Sequence, residues 1–272
     1  MKISIISPHS SNNGNTVTAI LLALCLTELK RKVLLTHVRP QSSTMEGYLG
    51  FEAYEDKTST PTQLVKLMRE KAIAPENIGD YSKNLEDYLD VFANSNKNFS
   101  KGDMETLLRF IVESDTKYEY TLFDIDSDNE TFDEEFVVRN SDIIIFNINN
   151  RMNEINRINE MRKRIGKAFK GKKIIVVCSN YSTASGKLKE LAKELGMNTT
   201  IYPIRHNPWV EWACNRGKLE YLFLQGKTKD KDVLEVYRDV MTIVSAVTKA
   251  KAQINKEKET GKVAKKEVLN KW

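Results

Sequence analysis

Lys2-Ile3-Ser4-Ile5-Ile6-Ser7, then Pro8-His9-Ser10-Ser11-Asn12-Asn13-Gly14, then Asn15-Thr16-Val17-Thr18-Ala19 follow one another as an apolar run, a small polar loop and the opening of an apolar helix reaching about Arg31. This is the layout of a phosphate-binding loop between a strand and a helix. Such a loop uses small residues so that backbone N–H groups can surround the phosphates, a Lys to neutralise them, and a Ser or Thr hydroxyl for Mg²⁺. Gly14 and Thr16 stand at the right spacing, and Asn15 stands where the Lys belongs.

Outward from this loop, apolar β-branched runs alternate with helical patterns. The runs are Lys2–Ser7, Lys32–Val38, Tyr120–Ile125, Asp142–Ile148, Lys172–Cys178 and Thr199–Pro203, with helices expected at about 15–31, 60–71, 102–116, 130–138, 152–168, 184–195, 208–217 and 230–256. The pattern predicts an α/β fold, a doubly wound, mostly parallel sheet with helices on both faces. The expected organisation is one domain over 1–248 and a Lys-rich helix end or tail over 249–272. Residues 42–114 are the least regular: Ser82-Lys83-Asn84 and Asn94-Ser95-Asn96-Lys97-Asn98 read as turns, with a short strand at Tyr88–Val91.

Composition narrows the class. Of 272 residues, 40% are hydrophobic and 29% charged, and the longest purely apolar stretches are strand-length, so no membrane span is expected. The first residues do not read as a signal peptide, and cytoplasmic residence is the expectation. Cys25, Cys178 and Cys214 are too far apart for a zinc site and read as reduced thiols, the first two in the core. The net charge is +5, and the eight Lys and three Glu from Lys249 onward account for it, leaving 1–248 balanced. A balanced body argues against a broad nucleic-acid face on the globular domain.

Further motifs follow the loop in a fixed order. Val33-Leu34-Leu35-Thr36-His37-Val38-Arg39-Pro40-Gln41 resembles the second-strand motif of the ParA/MinD family of deviant Walker-A ATPases. Gly47-Tyr48-Leu49-Gly50 and Thr60-Pro61-Thr62-Gln63-Leu64 are similar to that family's next segment, and Tyr118 to Asp124 resembles its Walker-B strand. Asn140-Ser141-Asp142 before Ile143, Cys178-Ser179-Asn180, and Tyr202-Pro203 followed by Glu211 to Gly217 resemble its later strand ends and final helix. The resemblance covers about 1–225.

That resemblance implies a P-loop NTPase fold with a degraded site. Ser10 falls on the family's signature Lys and Asn15 on the ordinary P-loop Lys. His37 and Arg39 fall on the second-strand aspartates. Loss of comparable phosphoryl stabilisers lowers rates by orders of magnitude. A retained nucleotide site would use Asn13, Gly14, Asn15, Thr16, Val17 and Asn180, with Thr16 and Asp124 on Mg²⁺; the expected cofactor is none, or weak Mg-ATP. Simpler roles are open: Asn15 and Thr16 as helix caps, Asp124 as a turn residue, Arg39 as a surface side chain or displaced cation.

Other patterns carry less. His9, His37 and His206 are scattered. Asp124, Asp126, Asp128 and Glu130 alternate but lack the Gly and terminal Glu of a calcium loop. Trp209 and Trp212 share a helix face; the expectation is core packing, and exposed they would anchor an interface, as Arg39 would at the rim.

The function expected is a catalytically degenerate binding, scaffolding or positioning module in the bacterial cytoplasm, most like the TadZ/CpaE branch. Its partners would be proteins, with a homodimer open. An active partition ATPase and a membrane-surface adaptor are the alternatives, with DNA or an anionic membrane met through 249–272 and a location at membrane or nucleoid.

Overall fold

The computed structural model describes residues 1–8, 14–38, 44–51, 61–92, 100–114, 117–125, 131–149, 154–182, 187–194 and 199–259. In chain order the elements are β1 (Lys2–Ile6), α1 (Asn15–Glu28), β2 (Val33–His37), α2 (Thr44–Leu49), α3 (Pro61–Arg69), β3 (Lys83–Glu86), β4 (Leu89–Phe92), α4 (Lys101–Glu113) and β5 (Tyr120–Ile125). They continue with α5 (Thr131–Asn140), β6 (Ile143–Asn149), α6 (Glu154–Ile165), β7 (Lys173–Tyr181), α7 (Leu188–Glu194), β8 (Ile201–Arg205), α8 (Pro208–Asn215), α9 (Leu219–Tyr221) and α10 (Lys231–Glu259).

The eight strands form one sheet in the order β3-β4-β2-β5-β1-β6-β7-β8, with β3 antiparallel to β4 and all other pairs parallel. β2, β5 and β6 are buried along their whole length, as strands covered on both faces must be. One core face gathers Leu34, Phe123, Ile144 and Val176 with side chains of α3 to α7. The other gathers Val33, Leu35, Leu122 and Val177 with α1, α2 and α8 to α10. The run Ala19 to Leu26 in α1 is buried on every side, between sheet and α10. The parallel strands end together near Gly14, and the order reverses at β1, which lies between β5 and β6. Ligands of open α/β sheets bind outside strand ends at such a reversal.

Departures from the sequence reading sit where periodicity is short. Lys83 and Asn84, read as a turn, lie in β3, an exposed edge strand whose polar residues give no alternation to detect. α2 was hidden in the irregular region because six residues make less than two turns. The segment 94–98 lies outside the described residues.

α10 crosses 248/249 without a break and continues to Glu259. Its last turns are tied to strand starts: Lys251 to Glu119 at 2.6 Å, Glu257 to Lys173 at 3.3 Å and Lys258 to Asp142 at 3.4 Å. α2 and α8 are joined by two glycines with positive φ, Gly50 and Gly217; a Cβ on Gly50 would lie 2.3 Å from the Gly217 carbonyl oxygen. No helix among the described residues is long and apolar enough to cross a membrane.

Candidate functional site

Gly14 precedes α1 with φ of 70°, a left-handed conformation that glycine adopts at least cost. Its carbonyl accepts the Thr18 N–H at 2.8 Å, starting the helix. A Cβ there would stand 3.0 Å from the Ser179 Cβ, so both conformation and space select glycine. The N-terminus of α1 therefore approaches the end of β7 closely, with the positive end of the helix dipole at the strand ends.

Asn15 does not cap this helix. Its side chain is buried, and its Nδ2 donates to the carbonyl oxygens of Ile5 at 3.0 Å and Ile125 at 2.7 Å. The amide thus ties the ends of β1 and β5 under the loop instead of reaching outward as a lysine would. Thr16 is not a cap either: its Oγ1 donates to Asp124 Oδ2 at 2.7 Å. Asp124 is 6% exposed, the next-to-last residue of β5, and in register with His37 on β2. A hydroxyl and a carboxylate so placed are hard oxygen ligands that fit Mg²⁺, which takes few protein ligands and keeps its waters and phosphate oxygens.

His37 is buried, and its Nε2 meets Glu46 Oε1 of α2 at 3.0 Å. The imidazole is therefore matched by a carboxylate on the neighbouring helix. Glu46 was not legible in the sequence, because nothing marks the residue as facing β2. Tyr48, on the same helix, has its hydroxyl pKa raised by burial first, then by Cys214 and the Asp124 carboxylate.

Beside Gly14 lies a cavity of about 470 Å³, bordered by Val17, Tyr48, Asn180, Arg205, Asn207 and Glu211 among others. Its size suits a small organic ligand. Asn180 has φ of 51° where the pairing of β7 with β8 breaks register, an irregularity that re-aims a side chain. Its Nδ2 would lie 3.9 Å from a Cβ on Gly14. Under the glycine, Thr18 Oγ1 and Ser179 Oγ are 3.1 Å apart, and Ser179 Oγ donates to Asn147 Oδ1 at 2.6 Å, fixing α1 to β7 and β6. Arg205 is gripped by Asp239, with Nε–Oδ2 at 2.7 Å and Nη2–Oδ1 at 2.9 Å, and also pairs with Glu235.

Gly14, Asn15, Thr16, Val17, Asp124 and Asn180 are thus gathered at one end of the sheet. Ser10, Asn13, Arg39 and His9 lie outside the described residues, as do Asp126, Asp128 and Glu130. His206 borders the cavity. Among the described residues no group of three or more His, Cys, Asp or Glu could hold a metal ion.

Trp209 and Trp212 do not pack in the core. They are 52% and 43% exposed and meet edge to face at 6.3 Å between centroids. Asn207 Oδ1 accepts from the N–H groups of Trp209 and Val210, setting the helix so that Ala213 and Cys214 face inward. The inward set at 210, 213 and 214 has helical spacing, and this signal could have placed the tryptophans on the outer side. Val210, Glu211 and Cys214 border the cavity, and the tryptophan pair lies on the outer face of the same helix.

Neither the models of known protein families nor the sequences of curated proteins give a match. Solved structures do. MinD of Pyrococcus horikoshii, complexed with Mg-ADP, matches with a TM-score of 0.66 at 16% identity, covering 92% of this chain and 98% of that one. A putative plasmid partition protein of Borrelia burgdorferi bound to AMPPNP matches at 0.65 and 18% identity, covering 90% and 98%. A chain of the MinC:MinD cell division protein complex of Aquifex aeolicus matches at 0.65 and 16%, covering 89% and 95%. The chain has the P-loop fold of the ParA and MinD ATPases.

Proposed function

We propose that this chain is a catalytically degenerate binding or positioning module built on a ParA/MinD-type scaffold. Nucleotide binding is weak or lost and hydrolysis is feeble or absent. The observation that carries this reading is the Asn15 amide. At the position of the P-loop Lys it is held by the Ile5 and Ile125 carbonyls, and it carries no charge. Arg205, the arginine bordering the cavity, is engaged by Asp239 and Glu235. A triphosphate would meet backbone N–H groups and a helix dipole, with little side-chain charge from the described residues to oppose its own. If Mg-ATP binds, Thr16 and Asp124 hold the metal, Gly14 and the first turn of α1 face the phosphates, and Asn180 faces the base. The metal would supply charge neutralisation at the phosphates.

Structural neighbours described as cell-division and plasmid-partition proteins, one of them in complex with MinC, support a role in positioning through protein contacts. The outer face of α8 with Trp209 and Trp212 is the surface for such a partner, in a cytoplasmic protein of TadZ/CpaE type. Calorimetry with Mg-ATP tests the reading: little or no heat is expected, and clear micromolar binding with turnover overturns it.

The intact Thr16–Asp124 pair favours one alternative, a working partition ATPase. That reading requires steady turnover, abolished by Asp124→Ala.

A further inference from the structure

We propose that the inner part of the cavity, alongside α1, is a binding site for an uncharged, largely apolar small molecule that carries a carboxamide or lactam group. Gly14 and Leu21 both border the cavity. The seven-residue step from one to the other takes up about 10 Å of helix, so the space continues from the loop down the flank of α1. Phosphates gather at the first turn of a helix, and this inner part lies beyond that turn. Its walls are Val17 and Leu21 of α1, Ile204 of β8, Val210 and Cys214 of α8, and Val236 of α10. Leu21, Ile204, Cys214 and Val236 are buried in the folded chain and still border this space. Apolar walls around a cavity of about 470 Å³ suit a small organic molecule.

Among the described residues, these inner walls carry no charged side chain to meet an ionised ligand. Arg205 is gripped by Asp239 and Glu235. Burial, reinforced by Glu211, pushes the Cys214 thiol up to about 12. Burial, with Cys214 and Asp124 adding to it, also raises the Tyr48 hydroxyl, so both side chains are uncharged at neutral pH. Glu211 and His206 stand exposed at the mouth, where solvent screens them. A ligand entering with a full charge would shed its water and gain no partner inside.

The uncommitted polar groups select the ligand. Asn207 is 5% exposed, and its Oδ1 accepts from the N–H groups of Trp209 at 2.9 Å and Val210 at 3.2 Å. Its Nδ2 makes no hydrogen bond among the described residues and is not sealed from open space, and the residue borders the cavity. Asp or Ser would cap α8 as well, so capping does not account for a carboxamide here. What the amide adds is a donor held in a fixed orientation, which a ligand carbonyl satisfies. Tyr48 borders the same cavity, and its hydroxyl makes no hydrogen bond among the described residues. That hydroxyl can accept from a ligand N–H, and a group that presents C=O and N–H together is an amide or a lactam.

This site does not depend on the degenerate loop, so the test uses no nucleoside triphosphate. The full chain is titrated by calorimetry and ligand-observed NMR with three probes: indole-3-acetamide, indole-3-acetate, which differs in carrying a carboxylate, and adenosine. Saturable binding of the amide is expected at about 1 mM or tighter, as a molecule of its size reaches in an apolar pocket. The acetate and adenosine should bind at least about tenfold more weakly, the one for its charge and the other for the ribose hydroxyls it would bring against apolar walls. Asn207→Asp keeps the cap and exchanges the donor for an acceptor, and amide binding should fall about tenfold. Val210→Trp, at a half-buried position, fills the space and should abolish binding. Tyr48→Phe, which loses one oxygen, should weaken binding severalfold and serves in place of Asn207→Asp if that variant does not fold. The proposal is overturned if the amide does not bind saturably, or if the acetate or adenosine binds as tightly. It is also overturned if a folded Asn207→Asp or Val210→Trp chain binds the amide as the parent does.

Discussion

Thr16 and Asp124, 108 residues apart, hold each other at 2.7 Å across the gap between the first turn of α1 and the end of β5. The pair holds a hydroxyl and a carboxylate together at the end of the sheet, next to the uncharged Asn15. Thr16→Val leaves a buried carboxylate oxygen without this donor, and a loss of about 1–3 kcal/mol is expected in urea unfolding. Any Mg²⁺-dependent thermal shift with nucleotide should vanish in the same variant. Unchanged stability would show that the hydrogen bond does not contribute.

Asn15→Lys should not restore an enzyme. The substitution removes the donor shared by the Ile5 and Ile125 carbonyls, and a destabilisation of about 1–3 kcal/mol is expected. ATP turnover should stay at the parent's level. A gain of steady turnover in Asn15→Lys alone would contradict the reading of the loop as degenerate.

Trp209→Ala and Trp212→Ala test the placement of α8. Exposed tryptophans predict midpoint changes within about 0.5 kcal/mol, whereas core tryptophans would cost about 3–5 kcal/mol. Acrylamide quenching of variants that keep only Trp209 or only Trp212, the other two of the three tryptophans being replaced, should likewise report free access.

Glu220 supplies a pH signature. Burial first, then the hydrogen bond and charge of Glu86, raise its pKa from 4.5 to about 7. The folded state thus binds a proton that the unfolded state releases between these values, so this group's contribution is full below pH 4.5 and is lost as pH rises through about 7. For a side chain still partly in water the effect is about 1 kcal/mol. Unfolding midpoints compared at pH 5 and pH 8 should show the slope, and Glu220→Gln should flatten it.

Gly50→Ala should be the most damaging single methyl in the domain's outer shell. The added carbon would stand 2.3 Å from a backbone oxygen and force a residue with φ of 76°. A loss of about 2–3 kcal/mol is expected, measured as a lowered denaturation midpoint.

The fold was readable because β1, β2, β5, β6 and β7 are long, apolar and β-branched, and their order carries a series of small motifs. The edge strand β3 was not, since Lys83 to Glu86 buries too little to need a pattern. At the site, Gly14, Thr16, Asp124 and Asn180 could be named because backbone geometry and chemistry restrict those positions. Glu46 and Arg205 could not, because their roles depend on partners, His37 and Asp239, that only the folded chain brings near. The tryptophans misled because an aromatic pair at helical spacing reads the same inside or outside; the smaller residues between them decide.

The contact between Gly50 and Gly217 has a bearing on how the surface and the interior communicate. Two helix ends that touch backbone to backbone have no side chains to absorb a displacement, so they transmit it as gears do. α2, which carries Glu46 against the end of β2, and α8, which carries Trp209 and Trp212, meet through this backbone contact. The glycine contact joins the helix that faces the His37 imidazole to the helix that bears the outer aromatic pair.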